Sequence, residues 1–231
     1  MRNFFRPVAM TIFLAASWTA FGAGGGSMPA TGGGGTASRF EARTPAETAR
    51  LAYNDGVRGV EKGDELAADA ARQTDAKKQQ KAADKAKNAY AGALKKFTRA
   101  TELVPTMHEA WNYIGYTHRK LGNYEEALAA YDRALNLKPG YPEAIEYRGH
   151  AYLGLNRLDD AKQAYLTLFT GNRKLAAQLL AAMQAWVGDH RGNPGTVDGP
   201  ALDAFASWVS ERSAIASQTA GLTREGAAAA W

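Results

Sequence analysis

The stretch that decides the fold is residues 108–141, HEAWNYIGYTHRKLGNYEEALAAYDRALNLKPGY. Displaced by 34 positions, it falls on a second copy of itself. Glu109-Ala110 meets Glu143-Ala144, Tyr113 meets Tyr147, Gly115 meets Gly149, and His118 meets Tyr152. Leu121, Ala127 and Tyr131 meet Leu155, Ala161 and Tyr165. Displaced the other way, Tyr124, Ala127, Leu128, Tyr131, Ala134, Leu137 and Pro139 fall on Tyr90, Ala93, Leu94, Phe97, Ala100, Leu103 and Pro105. Self-similarity at a fixed period of 20–50 residues is the signature of stacked supersecondary units, none of which buries its apolar face alone. Within 108–141, Trp111, Ile114, Leu121, Tyr131 and Leu135 recur at helical spacing. Leu121-Gly122-Asn123-Tyr124 reads as a helix stop and restart, and Pro139-Gly140 ends the unit. Small Gly115 and Ala127 stand where two antiparallel helices must touch.

These residues resemble the tetratricopeptide repeat family. Its first helix reads Trp-x2-Leu-Gly-x2-Tyr, and Trp111-x2-Ile114-Gly115-x2-His118 stands in its place. Its second reads Ala-x3-Phe and then Pro, matched by Ala127-x3-Tyr131 and Pro139. In the 142–175 copy, Ile145 replaces the tryptophan and Arg173 the proline. The resemblance covers residues 45–175 and implies an all-α solenoid of helical hairpins.

The first copy is stretched. Its second helix is clear from Tyr90 to Pro105, and Ala52-Tyr53-Asn54-Asp55-Gly56 is the best candidate for its first. Gly56 then corresponds to Gly115, and 25 residues are inserted. The family places the first-helix glycine against the second-helix alanine, which pairs Gly56 with Ala93 and puts the turn near Thr74-Asp75. Both are good helix caps, and the strong helix former AKKQQKAADKAKNAY follows them. The expectation is a long hairpin, Pro45–Gln73 and Ala76–Val104, with alanines along its seam. A turn at Gly63-Asp64 is the alternative. Beyond Gly171, an amphipathic helix over Asn172–Val187, a Gly/Pro loop from Gly188 to Pro200, and a helix bearing Leu202, Phe205, Trp208 and Val209 read as a terminal cap. Trp186, Trp208 and Trp231 are expected to pack that cap; a pocket between them is the alternative reading.

At the other end, Arg2 and Arg6 precede an uncharged apolar run, Val8–Phe21, of the length of a secretory signal rather than a membrane span. Cleavage is expected after Gly22, or after Ala23. Residues 23–44 read as a flexible Gly-rich linker. The chain has no cysteine, which excludes disulfides, thiolate metal sites and a Cys nucleophile. These features point to an exported, periplasmic bacterial protein, possessing no transmembrane segment once the signal is removed. The division is then 1–22 signal, 23–44 linker, 45–107 stretched hairpin, 108–141 and 142–175 repeats, and 176–231 cap.

No metal-ligand spacing links His108, His118, His150 and His190. Walker, Rossmann and Gly-x-Ser-x-Gly patterns are missing. Paired acids such as Glu125-Glu126 and Asp159-Asp160 open second helices, where they complement the helix dipole. The reading is a non-enzymatic scaffold with no cofactor. The resemblance implies that a protein or peptide partner lies in the concave groove built by first helices. Carried over by register, that groove presents Glu109, Asn112, Tyr116 and Arg119, then Glu143, Glu146, His150 and Leu153. It lacks the repeated Lys and Asn with which some relatives clamp a C-terminal carboxylate.

A second surface is cationic. The overall charge is +5, yet residues 72–99 alone hold nine cations against Asp75 and Asp84, a net of +7. Lys77, Lys78, Lys81 and Lys85 are candidates for contact with an anionic envelope surface. Nucleic acid is not expected, since aromatic residues do not interleave the lysines. The chain's 47 alanines gather in the same places, along the hairpin seam and the repeat contacts.

Overall fold

The computed structural model describes residues 43–192, 195 and 197–228, with side chains through 218. Among the described residues eight helices follow one another: α1 (Pro45–Arg72), α2 (Ala76–Leu103), α3 (His108–Leu121), α4 (Tyr124–Leu137), α5 (Pro142–Gly154), α6 (Leu158–Gly171), α7 (Arg173–Gly192) and α8 (Gly199–Ala228). They pack as successive antiparallel hairpins, α1 with α2, α3 with α4 and α5 with α6, closed by α7 and α8. The fold is an all-α solenoid with an elongated first hairpin and a helical cap. The signal expected over residues 1–22 and the linker expected over 23–44 lie outside the described residues, save residues 43 and 44, where Thr44 caps α1.

The first hairpin turns at Gln73-Thr74-Asp75, and Gly63 lies inside α1. The caps explain the turn. Thr44 and Glu47 form a reciprocal capping box at the start of α1, and the Gln73 N–H closes its end on the Ala70 and Asp69 carbonyls. Asp75 then accepts from the Lys78 N–H at 2.9 Å to start α2. Along the arms, Gly56 lies against the Phe97 ring, Gly59 against Ala93, and Gly63 against the Tyr90 ring. The partner of Gly56 is thus Phe97, one turn beyond the expected Ala93. Gly115 repeats this arrangement 59 residues later, against the ring of Tyr131. In both units, glycine makes room for the flat face of an aromatic ring.

Up to Gly63 and Tyr90 the first hairpin packs like a normal repeat. Beyond them it projects: residues 63–72 and 76–89 have no counterpart in α3 and α4, an extension of about 15–20 Å at 1.5 Å per residue. Beyond Gly63, the buried residues of this distal part are Ala70, Ala82 and Ala86. Gly92 is exposed in the interior of α2 with nothing within 4 Å of where a Cβ would stand. Gly92→Ala is therefore expected to stabilise the protein by about 0.5–1 kcal/mol through helix propensity alone, read as a higher urea midpoint with an unchanged slope.

The turns inside the second and third hairpins share one geometry. Gly122 adopts φ 86°, and Asn156, 34 residues on, is the one non-glycine residue with positive φ among those described (58°). In each turn the next residue closes the bend, Asn123 N–H on the His118 carbonyl and Arg157 N–H on the Tyr152 carbonyl, both 2.9 Å. Asparagine is the non-glycine residue that best tolerates this conformation. At the missing proline, Asn172 takes over the boundary, and its side chain accepts from the Leu175 N–H at 3.1 Å.

The cap is more helical than the sequence suggests. α7 runs through Gly188 to Gly192, and α8 starts at Gly199, so the Gly/Pro loop is shorter at both ends. Trp186 donates its indole N–H to the Leu153 carbonyl at 3.0 Å and meets Phe205 edge-on at 5.3 Å. Trp208 meets Tyr165 edge-on at 5.5 Å. These two tryptophans therefore seal the last repeat; Trp231 lies outside the described residues.

Candidate partner-binding face

The first helices α1, α3 and α5 are joined by a chain of aromatic rings. Tyr53 meets Tyr113 edge-on at 5.7 Å, Tyr113 stacks on Phe97 at 4.9 Å, and Tyr113 approaches Tyr116 at 6.3 Å. Tyr116 in turn meets Tyr147 of α5 at 5.1 Å. Such rings bury large areas at fixed mutual angles, so they set the helix spacing as well as contributing to stability.

An acid anchors this chain to the first hairpin. One carboxylate oxygen of Asp64 (Oδ1) accepts from the Tyr90 hydroxyl at 2.6 Å and from Lys120 Nζ at 2.8 Å. The other (Oδ2) accepts from the Tyr116 hydroxyl at 2.6 Å. Three helices, α1, α2 and α3, thus converge on one carboxylate. Burial, reinforced by Asp64, drives the Tyr90 and Tyr116 phenols far above the ordinary tyrosine range. Both therefore remain donors at any physiological pH. Burial pulls Lys120 downward, with Asp64 opposing the shift.

Arg119 occupies the next layer. Its guanidinium lies 5.0 Å from the Tyr116 ring centroid and 5.7 Å from that of Tyr147. Burial disfavours its charge, but Tyr131, Tyr116 and Glu146 outweigh that and raise its pKa. Glu146 is 2% exposed, and one of its oxygens lies 2.7 Å from His150 Nε2. Its other oxygen, the Arg119 Nε and the Asn112 Oδ1 are buried without a hydrogen-bond partner among the described residues.

The eight positions that register assigns to the groove therefore separate by depth. Asn112, Glu146 and Leu153 are buried, at 2%, 2% and 4% exposure. Tyr116 and Arg119 are committed to the internal network. Glu109, Glu143 and His150 reach the surface in part, with the Glu109 side chain 45% exposed. Register alone missed Asp64, which lies in the inserted part of α1, and Lys120. The four arm lysines lie elsewhere, on exposed α2; Lys78, Lys81 and Lys85 line a shallow cleft of about 260 Å³ with Leu66, Asp69, Gln73 and Ala82. Among the described residues, no group of three or more His, Asp or Glu is placed to hold a metal ion, and no helix is long and apolar enough to cross a membrane.

Paired helices stacked in register, with the glycine-to-ring contact of the first hairpin repeated in the second, define a repeat architecture. The model of the tetratricopeptide repeat matches residues 108–141, the second hairpin. Among solved structures it is similar to one described as the crystal structure of MamA protein. The two are 22% identical, the alignment covers 73% of this chain and 94% of that one, and the TM-score is 0.37. No curated protein matches the sequence.

Proposed function

We propose that the protein is a non-enzymatic scaffold in the bacterial cell envelope that holds a segment of a partner protein across the faces of α1, α3 and α5. The observation that carries this reading is the Asp64 network together with the tyrosine chain. These contacts lock the first helices to one another, while Glu109 and Glu143, one repeat apart, remain at the surface. A preorganised face of this kind loses little freedom on binding. The apolar run Val8–Phe21 behind Arg2 and Arg6, together with the lack of cysteine, supports export to the periplasm.

The experiment is crosslinking in cells followed by identification of the trapped proteins. Glu109→Lys combined with Glu143→Lys reverses charge at the rim of the face without entering the network. Loss of a partner that the wild type traps, with an unchanged circular dichroism spectrum, is the expected outcome; a tenfold or greater drop in recovery corresponds to about 1.4 kcal/mol. Identical sets of trapped proteins would place the contact elsewhere.

A further inference from the structure

Seven of the eight cations of α2 share one side of the helix, and Lys87 alone lies away from it. At 100° per residue, Lys77, Lys81, Lys85, Lys95 and Arg99 fall within an arc of about 80°, with Lys78 and Lys96 at about 100° on its edge. The buried Ala82, Ala86, Ala93 and Phe97 occupy the next arc, against α1. From Lys77 to Arg99 the stripe is about 33 Å long. Between those ends it includes Asn88 and exposed Gly92 and carries no aromatic or aliphatic side chain.

Five of the seven stripe cations form no ion pair among the described residues. Lys96 and Arg99 have acidic partners in Asp55 and Glu102. Lys77, Lys78, Lys81, Lys85 and Lys95 form no ion pair among the described residues, although acids lie nearby. Those acids take other hydrogen-bond partners, so they form no direct pair with the stripe but still offset part of its charge: Asp75 caps the helix, Asp84 accepts from Gln80, and Asp69 accepts from Gln73 and lies 3.8 Å from Arg72. The stripe is also not a requirement of the solenoid. One repeat on, Lys95, Lys96 and Arg99 correspond to Ala129, Ala130 and Arg133; two repeats on, to Gln163, Ala164 and Thr167.

From this geometry we infer that the projecting hairpin docks along α2 on the headgroups of an anionic lipid bilayer. A straight row of lysines meets a flat, negatively charged plane at every step, each contributing independently. A protein partner would require anchors seated in desolvated pockets, and the stripe offers no aromatic or apolar one. The apolar face of α2 is already spent on α1, so the helix lies on the surface without inserting. This surface is separate from the partner-binding face, and either can fail without the other.

The test is vesicle co-sedimentation of the full chain. One set of vesicles is phosphatidylcholine; the other contains about one third phosphatidylglycerol. The wild type is expected to bind the anionic set, at least tenfold more tightly than the neutral set at low salt, and to lose most of that preference at high ionic strength, where screening shortens to a few ångströms. The quadruple variant Lys77→Gln, Lys81→Gln, Lys85→Gln, Lys95→Gln touches no ion pair. It is expected to bind about a hundredfold more weakly or worse, with an unchanged thermal midpoint. Arg133→Gln, the exposed equivalent of Arg99 on α4, is expected to bind like wild type. Equal binding to both vesicle sets, equal binding by the quadruple variant, or binding to duplex DNA or an acidic protein with none to anionic vesicles overturns the inference.

Discussion

Asp64→Ala is expected to lower stability by about 2–4 kcal/mol. The substitution leaves the Tyr90 and Tyr116 hydroxyls without their acceptor, and Tyr90 is only 2% exposed. Each buried donor left unsatisfied costs about 1–3 kcal/mol. Loss of the partly screened Lys120 pair adds less than 1 kcal/mol, in the range of exposed ion pairs. Urea unfolding checks the total. Asp64→Asn separates the contributions: its amide oxygen still accepts one hydroxyl proton, so it is expected to retain about half of the lost stability. Equal losses for the two variants would mean that charge, rather than acceptor geometry, holds the site. Because α1, α2 and α3 meet at this carboxylate, Asp64→Ala is also expected to loosen the first hairpin before the rest unfolds, giving a lower urea slope.

Gly115→Ala is the second large effect, and its sign opposes helix propensity. In an ordinary helix the change gains about 0.5–1 kcal/mol. Here the new Cβ would stand 2.5 Å from Tyr131 Cε1, with two further ring atoms within 2.9 Å. Tyr131 is fully buried, so its ring cannot swing aside without disturbing Ala127, Leu128 and Tyr147 around it. Overpacking of this kind costs about 1–3 kcal/mol and sometimes more; a net loss of about 2 kcal/mol is expected. Gly149→Ala provides the comparison. Its Cβ would meet the Leu179 methyls at 2.6 and 2.9 Å; Leu179 is fully buried as well, but a branched aliphatic end yields more easily than a rigid ring. Its loss is expected to be smaller. Thermal or urea melts of the two variants beside Gly92→Ala would rank the three glycines, and a stable Gly115→Ala would refute the ring-contact account.

Much of the architecture is legible in the sequence because the repeat writes the same contact more than once. The displacement by 34 residues lays Phe97 on Tyr131, and the 25-residue insertion lays Gly56 on Gly115, but the expected partner of Gly56 was Ala93, one turn short of the ring it meets. The turn at Gln73-Thr74-Asp75 is legible for a local reason, since Thr74 and Asp75 interrupt two strong helix formers. The face is less so. Register gives the direction in which Asn112 and Glu146 point along their helices, but not how closely the neighbouring helix covers them. Asp64 was harder still. It lies in the insertion, where the repeat has no counterpart, and its hydroxyl partners are 26 and 52 residues away. The available signal was an acid one residue past Gly63, at the last point where the hairpin touches the repeats. The cap helices extend past the Gly/Pro loop expected over Gly188–Pro200 because a glycine costs a helix only about 1 kcal/mol, less than the packing of Trp186 and Trp208 on Leu153 and Tyr165 returns.

The seam of the first hairpin changes character along its length. Near the solenoid it is made of Phe97, Tyr90 and Val60; toward the tip it is made of Ala70, Ala82 and Ala86. A methyl group buries a fraction of what a ring buries, so the work needed to separate the arms falls steadily with distance from the repeats. The hairpin is therefore not one cooperative unit. Amide exchange is expected to show it opening from its free end in small steps below the global unfolding free energy. The same gradation lets the tip splay or flatten to follow the shape of whatever it meets, while its base stays clamped at Asp64.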